Sequence, residues 1–183
     1  KLETILPTIA LEPWSARYVT DRKPAGEWTS PAYDDSAWQT GPGAFGSPEM
    51  PKIGTEWKGE DRDIWVRRTF ELDRDLSAEE LILEYSHDDV FELYVNGIEV
   101  ANTGDIWESY IRKPLPAEAA ATLKPGKVTI TAKASEDTSK TATCEITVTG
   151  EDPKNDTKTP LKDKSGKQLY VKTADGKYVL AVV

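Results

Sequence analysis

A tight hairpin is the feature that most constrains how this chain can fold. Two apolar runs, FELYV and IEV, are separated only by Asn96-Gly97. Asn-Gly favours a two-residue turn because both central positions of that turn need a positive φ. The pattern therefore predicts two adjacent antiparallel strands, with Val95 and Ile98 on one face across the turn.

Further strands are predicted by segments in which apolar and polar residues alternate. These segments are WVRRTFEL (65–72), LILEY (81–85), VTITAKA (128–134) and TATCEITVT (141–149). Cys144 falls on the apolar face of the last segment, where a small buried thiol is the default interpretation. No segment predicts a long amphipathic helix. Short strands joined by turns predict an all-β fold, specifically an antiparallel β-sandwich.

The sequence changes character after Gly150. Residues 151–167 are charged, contain proline and almost lack large apolar side chains, so they are predicted to be a linker. Residues 168–183 have the pattern of a hairpin and are interpreted as the start of a following, truncated module. An added edge hairpin on the first domain is the alternative. The predicted sandwich domain is therefore residues 1–150.

Charge and composition exclude several classes of partner. The formal net charge is −9, and an acidic chain repels a phosphate backbone, so neither nucleic acid nor an anionic membrane is an expected partner. No apolar run approaches the ~18 residues of a membrane span, so membrane insertion is not predicted. With one Cys and one His, the chain cannot form an internal disulfide or a zinc site of Cys and His ligands.

Three motifs occur in an order that is specific when they are taken together. They are WTSPAYDDSAWQTGPGAFG (28–46), DRDIWVRRTFEL (61–72) and HDDVFELYVNG (87–97). In this order they resemble the β-sandwich module of family 2 glycoside hydrolases, which is related to the galactose-binding-like (jelly-roll) domains. The resemblance covers residues 1–113, and extends to 150 if the last two strands belong to the same sandwich.

The resemblance implies a carbohydrate-associated accessory module of a larger bacterial enzyme of the β-galactosidase type. Such an enzyme is expected to be extracellular, at the cell surface or in the periplasm. Its catalytic carboxylates sit on a separate TIM barrel, which needs about 250 residues, so no catalytic residue is expected in this chain. The expected partners are a carbohydrate or the neighbouring catalytic domain of the parent protein, and no cofactor is expected beyond a structural calcium ion.

A second resemblance involves the segment 121–150. ATLKPGKVTITAKASEDTSKTATCEITVTG is similar to the closing strands of a bacterial Ig-like domain of group 2. It leaves open an Ig-like spacer or interaction module of a cell-surface adhesin. The same residues could instead supply the last two strands of a single sandwich.

Two adjacent acids, Asp34 and Asp35, stand between Tyr33 and Trp38. Glycosidic hydrolysis needs two carboxyl groups that face each other across about 5 to 9.5 Å. Adjacent residues in a turn splay apart, whereas Asp and Ser side chains readily accept backbone N–H groups. The stretch is therefore interpreted as a capped turn, with Tyr33 or Trp38 packed inward as its anchor.

A histidine with two acids, His87-Asp88-Asp89, directly precedes the hairpin. Such a cluster could act as a general base or bind a hard metal ion. At this position a turn with side-chain caps is the favoured interpretation. Related sugar-binding sandwiches often carry a structural calcium ion, so Asp88 and Asp89 are kept as weak calcium candidates, although the sequence offers no complete ligand set.

Two polar loops, residues 54–63 and 102–110, have the composition of a sugar-binding surface. Sugars stack on Trp or Tyr rings while neighbouring polar side chains bond the hydroxyl groups. The carbohydrate-binding candidates are Trp57, Arg62, Asp105, Trp107, Glu108 and Tyr110. Plain packing and contact with a neighbouring domain are the alternatives for the two tryptophans.

Arg67 and Arg68 are adjacent in a predicted strand, so one of them is expected to point toward the core. A buried arginine needs an acidic partner. Glu84, Asp88 and Glu92 are the acids that the sequence suggests for it.

Overall fold

The computed structural model describes residues 2–57, 63–135, 145–151, 170–172 and 178–180, and the side chains of 3–57 and 63–135. The strands are β1 (Leu2–Leu6), β2 (Ser15–Thr20), β3 (Gln39–Pro42), β4 (Phe45–Gly46), β5 (Thr55–Glu56), β6 (Asp63–Leu72), β7 (Leu81–His87), β8 (Val90–Val95), β9 (Ile98–Asn102), β10 (Glu108–Pro114), β11 (Gly126–Ser135), β12 (Glu145–Glu151), β13 (Tyr170–Lys172) and β14 (Tyr178–Leu180), with one turn of helix, α1 (Ala117–Ala120).

Most of these strands form two antiparallel sheets. The larger sheet has the strand order β3-β2-β6-β11-β8-β9, and the smaller sheet has the order β1-β12-β7-β10. Two short pairs, the parallel β4–β5 and the antiparallel β13–β14, complete the described strands. The prediction of an all-β antiparallel sandwich is confirmed. Among the described helices, none is long and apolar enough to cross a membrane.

The hairpin predicted from Asn96-Gly97 is present. Asn96 and Gly97 have φ values of 47° and 84°, and Val95 pairs with Ile98 across the turn. The Asn96 side chain also accepts a hydrogen bond from the Thr129 backbone N–H at 2.9 Å. The turn is thereby fixed to the neighbouring strand β11 as well as closed on itself.

The last two long strands lie inside the sheets. β11 pairs with β6 along its whole length, from Gly126–Leu72 to Ser135–Asp63, and with β8 on its other side. β12 lies between β1 and β7. Cys144 and nearly all of the predicted linker fall outside the described residues, so the division at residue 150 stays a prediction.

One continuous hydrophobic core fills the space between the two sheets. Its fully buried members include Ile64, Val66, Leu83, Tyr85, Phe91, Leu93, Val95, Ile130 and Ala132. A second cluster, formed by Trp28, Trp38 and Trp65, lies on the opposite face of the larger sheet, because Trp65 alternates with Ile64 and Val66 along β6. Both faces of β6 are therefore covered.

The two sheets are joined at one edge by a short connection. β9 is an edge strand of the larger sheet and β10 is an edge strand of the smaller sheet. Residues 103–107, the crossing loop, pass from one to the other. This loop carries two of the sequence candidates and leads directly into two more.

Candidate functional site

The crossing loop exposes two large apolar side chains at its tip. Ile106 is 47% exposed and Trp107 is 67% exposed. An indole with this much accessible surface can stack against a ligand or against another protein. The following residue, Glu108, begins β10 and turns back toward the core.

The start of the crossing loop is attached to strand β8. Thr103 donates its backbone N–H to the Phe91 carbonyl at 2.9 Å, and its hydroxyl accepts the Phe91 N–H at 3.1 Å. A further backbone bond joins Ile106 N–H to the Gly104 carbonyl at 2.9 Å. These bonds fold the loop into a compact turn that raises its tip into solvent.

The end of the crossing loop is attached to strand β7 through a charged network. The Glu108 carboxylate lies 2.9 Å from His87 Nε2 and 3.5 Å from Lys113 Nζ. His87 is 1% exposed. Its ring stacks on Phe91 with centroids 4.7 Å apart and a 7° interplanar angle, and Tyr85 stacks beside both rings. Glu108 therefore ties the exposed loop to the aromatic end of the core.

The same network shifts the pKa values of its members. Partial burial tends to raise the pKa of Glu108, but the hydrogen bond with His87 and the charge of Lys113 outweigh it and hold that pKa below its usual value. The pKa of Lys113 is raised, chiefly by the Tyr85 phenol and also by Glu108. Burial raises the pKa of Tyr85. Near neutral pH, Glu108 is ionised, Lys113 is charged and Tyr85 is neutral.

The sequence candidates fall into different environments. Trp57 is 5% exposed and belongs to the core, whereas Trp107 is the most exposed large apolar residue among those whose side chains are described. The two tryptophans therefore do not form a shared exposed surface. Asp105 is exposed in the crossing loop, and Tyr110 is half-buried at a bulge in β10, where its φ is 47°. Arg62 lies outside the described residues.

Sequence reasoning missed the residues that hold the crossing loop. Lys113, further along β10, contacts Glu108, and Tyr85 of β7 stacks beside the His87 ring. No local sequence pattern marks either residue. A usable signal existed only for Ile106, because two adjacent large apolar residues in an otherwise polar loop indicate an exposed apolar tip.

Asp34 and Asp35 are both engaged within the fold. Asp34 Oδ1 accepts the Ser36 backbone N–H at 3.0 Å, and these bonds to Ser36 hold the pKa of Asp34 below its ordinary value. Asp35 Oδ2 accepts a hydrogen bond from Arg67 Nε at 2.9 Å. Residues 31–38, the acidic turn, are thus fixed to β6, and Trp38 packs inward at 7% exposure.

The acidic partner of Arg67 is not one of those that the sequence suggested. Arg67 and Arg68 are both buried, because both faces of β6 are covered. Arg67 pairs with Asp35 and also donates to the Trp28 and Ser30 carbonyls. For Arg67, the expectation that Glu84, Asp88 or Glu92 is the partner is therefore wrong, because that partner is Asp35.

Arg68 points to the other face of β6. Its guanidinium donates to the Pro7 carbonyl at 2.9 Å and lies 4.4 Å from the Trp14 ring centroid. Glu84 forms an ion pair with Arg112 of β10. Burial raises the pKa of Glu84, and the hydrogen bond from Arg112 opposes that rise.

The turn that follows β7 is held by the Asp88 carboxylate and by the main chain of Asp89. Asp88 Oδ1 accepts the Asp89 backbone N–H at 3.1 Å, and the Asp89 carbonyl lies 3.0 Å from His87 Nδ1. The Asp88 carboxylate therefore caps the turn, as the sequence predicted. Among the residues with described side chains, no group of three or more His, Cys, Asp or Glu could hold a metal ion.

A groove of about 510 Å³ lies at the opposite end of the smaller sheet, where β7 begins and β10 ends. It is lined mainly by Leu81, Ile82, Pro114, Leu115, Ala117 and Ala120. Glu79 and Glu80 are the charged residues beside it. The groove is therefore apolar with an acidic margin and does not meet the crossing loop.

The fold is shared with part of known glycosidases. No family model and no curated protein matches the sequence. β-Glucuronidase 2 of Bacteroides uniformis, solved with covalently bound cyclophellitol-6-carboxylate aziridine, matches with a TM-score of 0.51 and 16% identity over 82% of this chain and 18% of that chain. Another B. uniformis β-glucuronidase structure matches with a TM-score of 0.50 and 15% identity over 82% of this chain and 18% of that chain. A β-glucuronidase from glycoside hydrolase family 2 has a TM-score of 0.48 and 14% identity over 78% of this chain and 18% of that chain.

The two matches with TM-scores of 0.51 and 0.50 show that this chain has the fold of one part of those β-glucuronidase structures. The chain spans 18% of the length of each of those proteins. The sequence resemblance to a glycoside hydrolase module thus has a structural counterpart, while the galactose-binding-like assignment stays a prediction.

Proposed function

We propose that this chain is a non-catalytic, carbohydrate-associated accessory module of a larger secreted glycoside hydrolase. The observation that carries the proposal is its shared fold with a segment that makes up 18% of β-glucuronidase structures. The three ordered motifs of the acidic turn, strand β6 and the hairpin independently support the same class. In this role the sandwich contributes binding surface or mechanical support, and the chemistry belongs to another domain.

Trp107 is the proposed carbohydrate contact. Its exposed indole offers an apolar face for the C–H groups of a sugar ring. Asp105, exposed two residues earlier, can accept hydrogen bonds from sugar hydroxyls. Glu108 is held by His87 and Lys113, so its role is to support the loop. Trp57 is buried, which leaves Trp107 as the aromatic platform of the proposed site.

A single aromatic platform predicts weak binding. A pair of aromatic side chains gains about 0.5 to 1.5 kcal/mol beyond its buried area, and we expect a sugar ring on one indole to gain no more. With a few hydrogen bonds at a solvent-exposed tip, we expect dissociation constants of about 1 mM, which correspond to roughly −4 kcal/mol.

The test is a titration followed by NMR at millimolar sugar concentration. A neutral β-galactoside and a β-glucuronide are added separately, and the indole N–H signals are monitored. We expect the Trp107 signal to shift with at least one sugar, Trp107→Ala to abolish binding, and Ser109→Ala, an exposed change two residues away, to leave it intact. If no sugar moves the Trp107 signal at 10 mM, direct recognition at this loop is wrong.

A second role, contact with a neighbouring domain, is favoured by Ile106. An aliphatic side chain beside Trp107 enlarges the apolar tip but offers no platform for a sugar ring. Adjacent exposed apolar residues are typical of surfaces that another protein covers. Hydrogen exchange of residues 103–110 should then be slower in a longer polypeptide that includes the next domain than in this chain alone. Equal exchange in both would contradict this role.

A further inference from the structure

The single histidine of the chain is buried between two oxygen atoms. His87 Nδ1 lies 3.0 Å from the Asp89 carbonyl oxygen, and Nε2 lies 2.9 Å from Glu108 Oε2. A main-chain carbonyl and an ionised carboxylate both accept hydrogen bonds, and neither has a proton to donate. Each ring nitrogen must therefore donate a proton if both contacts are hydrogen bonds.

Neither neutral tautomer satisfies both contacts. With the proton on Nδ1, the Nε2 lone pair faces the Glu108 carboxylate. With the proton on Nε2, the Nδ1 lone pair faces the Asp89 carbonyl. In both cases two acceptors are held about 3 Å apart, close to the ideal length of a real hydrogen bond, with no proton between them.

Protonation of Glu108 in place of His87 is the remaining way to supply the missing proton. Glu108 Oε1 lies 3.5 Å from the Lys113 ammonium, which favours the charged carboxylate, so this carboxyl is ionised near neutral pH. The second proton of the pair then belongs on the imidazole ring.

We propose that His87 is held as an imidazolium, protonated at both ring nitrogens, and acts as a positioning residue that fastens Glu108, and with it the exposed crossing loop, to strand β7. The inference concerns the charge state of His87 and does not depend on what Trp107 binds. It adds a proton-dependent attachment at the end of the loop, where Glu108 also pairs with His87 in the sheet.

The charged groups around the ring are consistent with this state. From β10, Glu108 carries a negative charge between the His87 ring and the Lys113 ammonium. From the turn after β7 come two more acids, Asp88 and Asp89. Tyr85 of β7 presents a neutral phenol, and Phe91 of β8 presents only its ring face. Lys113 opposes a second cation here, and the Glu108 carboxylate, in direct contact with the ring, favours it.

The sign of the pH effect follows from the geometry. While the ring holds both protons, both contacts stabilise the fold. When a proton is lost at higher pH, one contact becomes repulsive and the attachment of Glu108 weakens. The crossing loop should therefore open more often as the pH rises. Backbone amide hydrogen exchange in the loop measures this opening, once the rates are corrected for the intrinsic effect of pH on exchange.

The decisive experiment is nitrogen-15 NMR of the imidazole in the folded chain at pH 7.5. At that pH an unperturbed imidazole is about nine-tenths neutral. Because the chain has one histidine, its two ring nitrogens give an unambiguous pair of signals. We expect nearly equal shifts, the signature of an imidazolium. Two widely separated shifts, the signature of a neutral tautomer, would overturn the proposal without any variant being needed.

A matched pair of variants sharpens the result. In Glu108→Gln the side-chain amide can donate to Nε2, so His87 should become a neutral ring protonated at Nδ1, and exchange in residues 105–111 should rise several-fold. Glu118→Gln, which removes an equal charge from the exposed surface of α1, should leave the imidazolium signature unchanged. If Glu108→Gln retains an imidazolium, Glu108 is not what holds the second proton, and the proposal is wrong.

Discussion

The acidic turn and the crossing loop have similar sequences, but the tryptophan of the first is buried and that of the second is exposed. Both place acids beside a tryptophan: Asp34 and Asp35 before Trp38, Asp105 and Glu108 around Trp107. In the acidic turn the tryptophan is 7% exposed, and in the crossing loop it is 67% exposed. Local composition therefore does not decide whether an aromatic side chain is scaffold or binding surface.

The difference lies in what each segment has beneath it. The acidic turn lies over the outer face of the larger sheet, where Arg67 bonds Asp35 and two backbone carbonyls. Trp38 packs there against Trp28 and Trp65. The crossing loop spans the gap between two sheet edges, so its tryptophan has no sheet face to pack on. Its charged anchor, Glu108, lies behind the tip.

The strongest test of this comparison is to truncate each tryptophan. Trp38→Ala should destabilise the fold by about 3 to 5 kcal/mol, because it leaves a cavity in a packed aromatic cluster. Trp107→Ala should change stability by no more than about 0.5 kcal/mol, as for an ordinary surface substitution. Urea unfolding followed by circular dichroism measures both. Equal costs would mean that the two segments do not differ as described.

Removal of the Arg67 guanidinium, which lies beneath the acidic turn, should cause the next largest loss of stability. Arg67→Met leaves Asp35 and two backbone carbonyls without their donor, and we expect a loss of about 3 kcal/mol. Arg74→Met breaks a surface pair with Glu3 and should cost about 1 kcal/mol or less. The same unfolding assay compares them. An Arg67 variant as stable as the Arg74 variant would show that the hydrogen bonds of Arg67 do not hold the turn.

Neutralisation of one acid in each segment should give a smaller contrast. Asp35→Asn weakens a charge-assisted bond to a buried guanidinium, for which we expect about 1 kcal/mol. Asp105→Asn, in the exposed crossing loop, should stay within about 0.5 kcal/mol. Thermal unfolding at pH 7 separates the two. A larger cost at Asp105 would reverse the assignment of scaffold and surface.

The smallest effect is expected in the acid dependence of stability. Because the pKa of Glu108 is lowered in the folded chain, this carboxyl stabilises the fold above its unfolded value of about 4.3, and that contribution is lost as the pH falls through the folded pKa. Glu108→Gln should flatten the stability profile between about pH 3 and pH 5. An unchanged slope in that window would indicate that Glu108 does not support the loop.

Features that depend on neighbouring residues could be predicted from the sequence. The hairpin followed from Asn96-Gly97 because the turn geometry is set by those two residues. The sandwich followed from alternation within single strands, and the capping by Asp34 followed from the preference of Asp for its own turn. Each of these depends on contacts a few residues apart.

Features that depend on distant strands could not be predicted. Asp35 and Arg67 meet only because the acidic turn folds over β6, and nothing near either residue signals the other. Trp57 and Trp107 occupy loops of the same composition, and one entered the core while the other stayed in solvent. The support of Glu108 by His87 depends on the pairing of β7 with β10. Exposure, and with it the choice of candidate site, is a tertiary property.

The placement of β11 and β12 at the centre of the two sheets bears on how the chain folds during synthesis. Until residues 126–135 emerge from the ribosome, no strand connects β6 with β8 in the larger sheet. In the smaller sheet, β1 and β7 are likewise unconnected until β12 has been synthesised. Pairings between strands so far apart in sequence form slowly and leave strand edges open to aggregation in the interval. The two sheets should therefore remain incomplete until β11 and β12 have been synthesised, and then close together in a cooperative event.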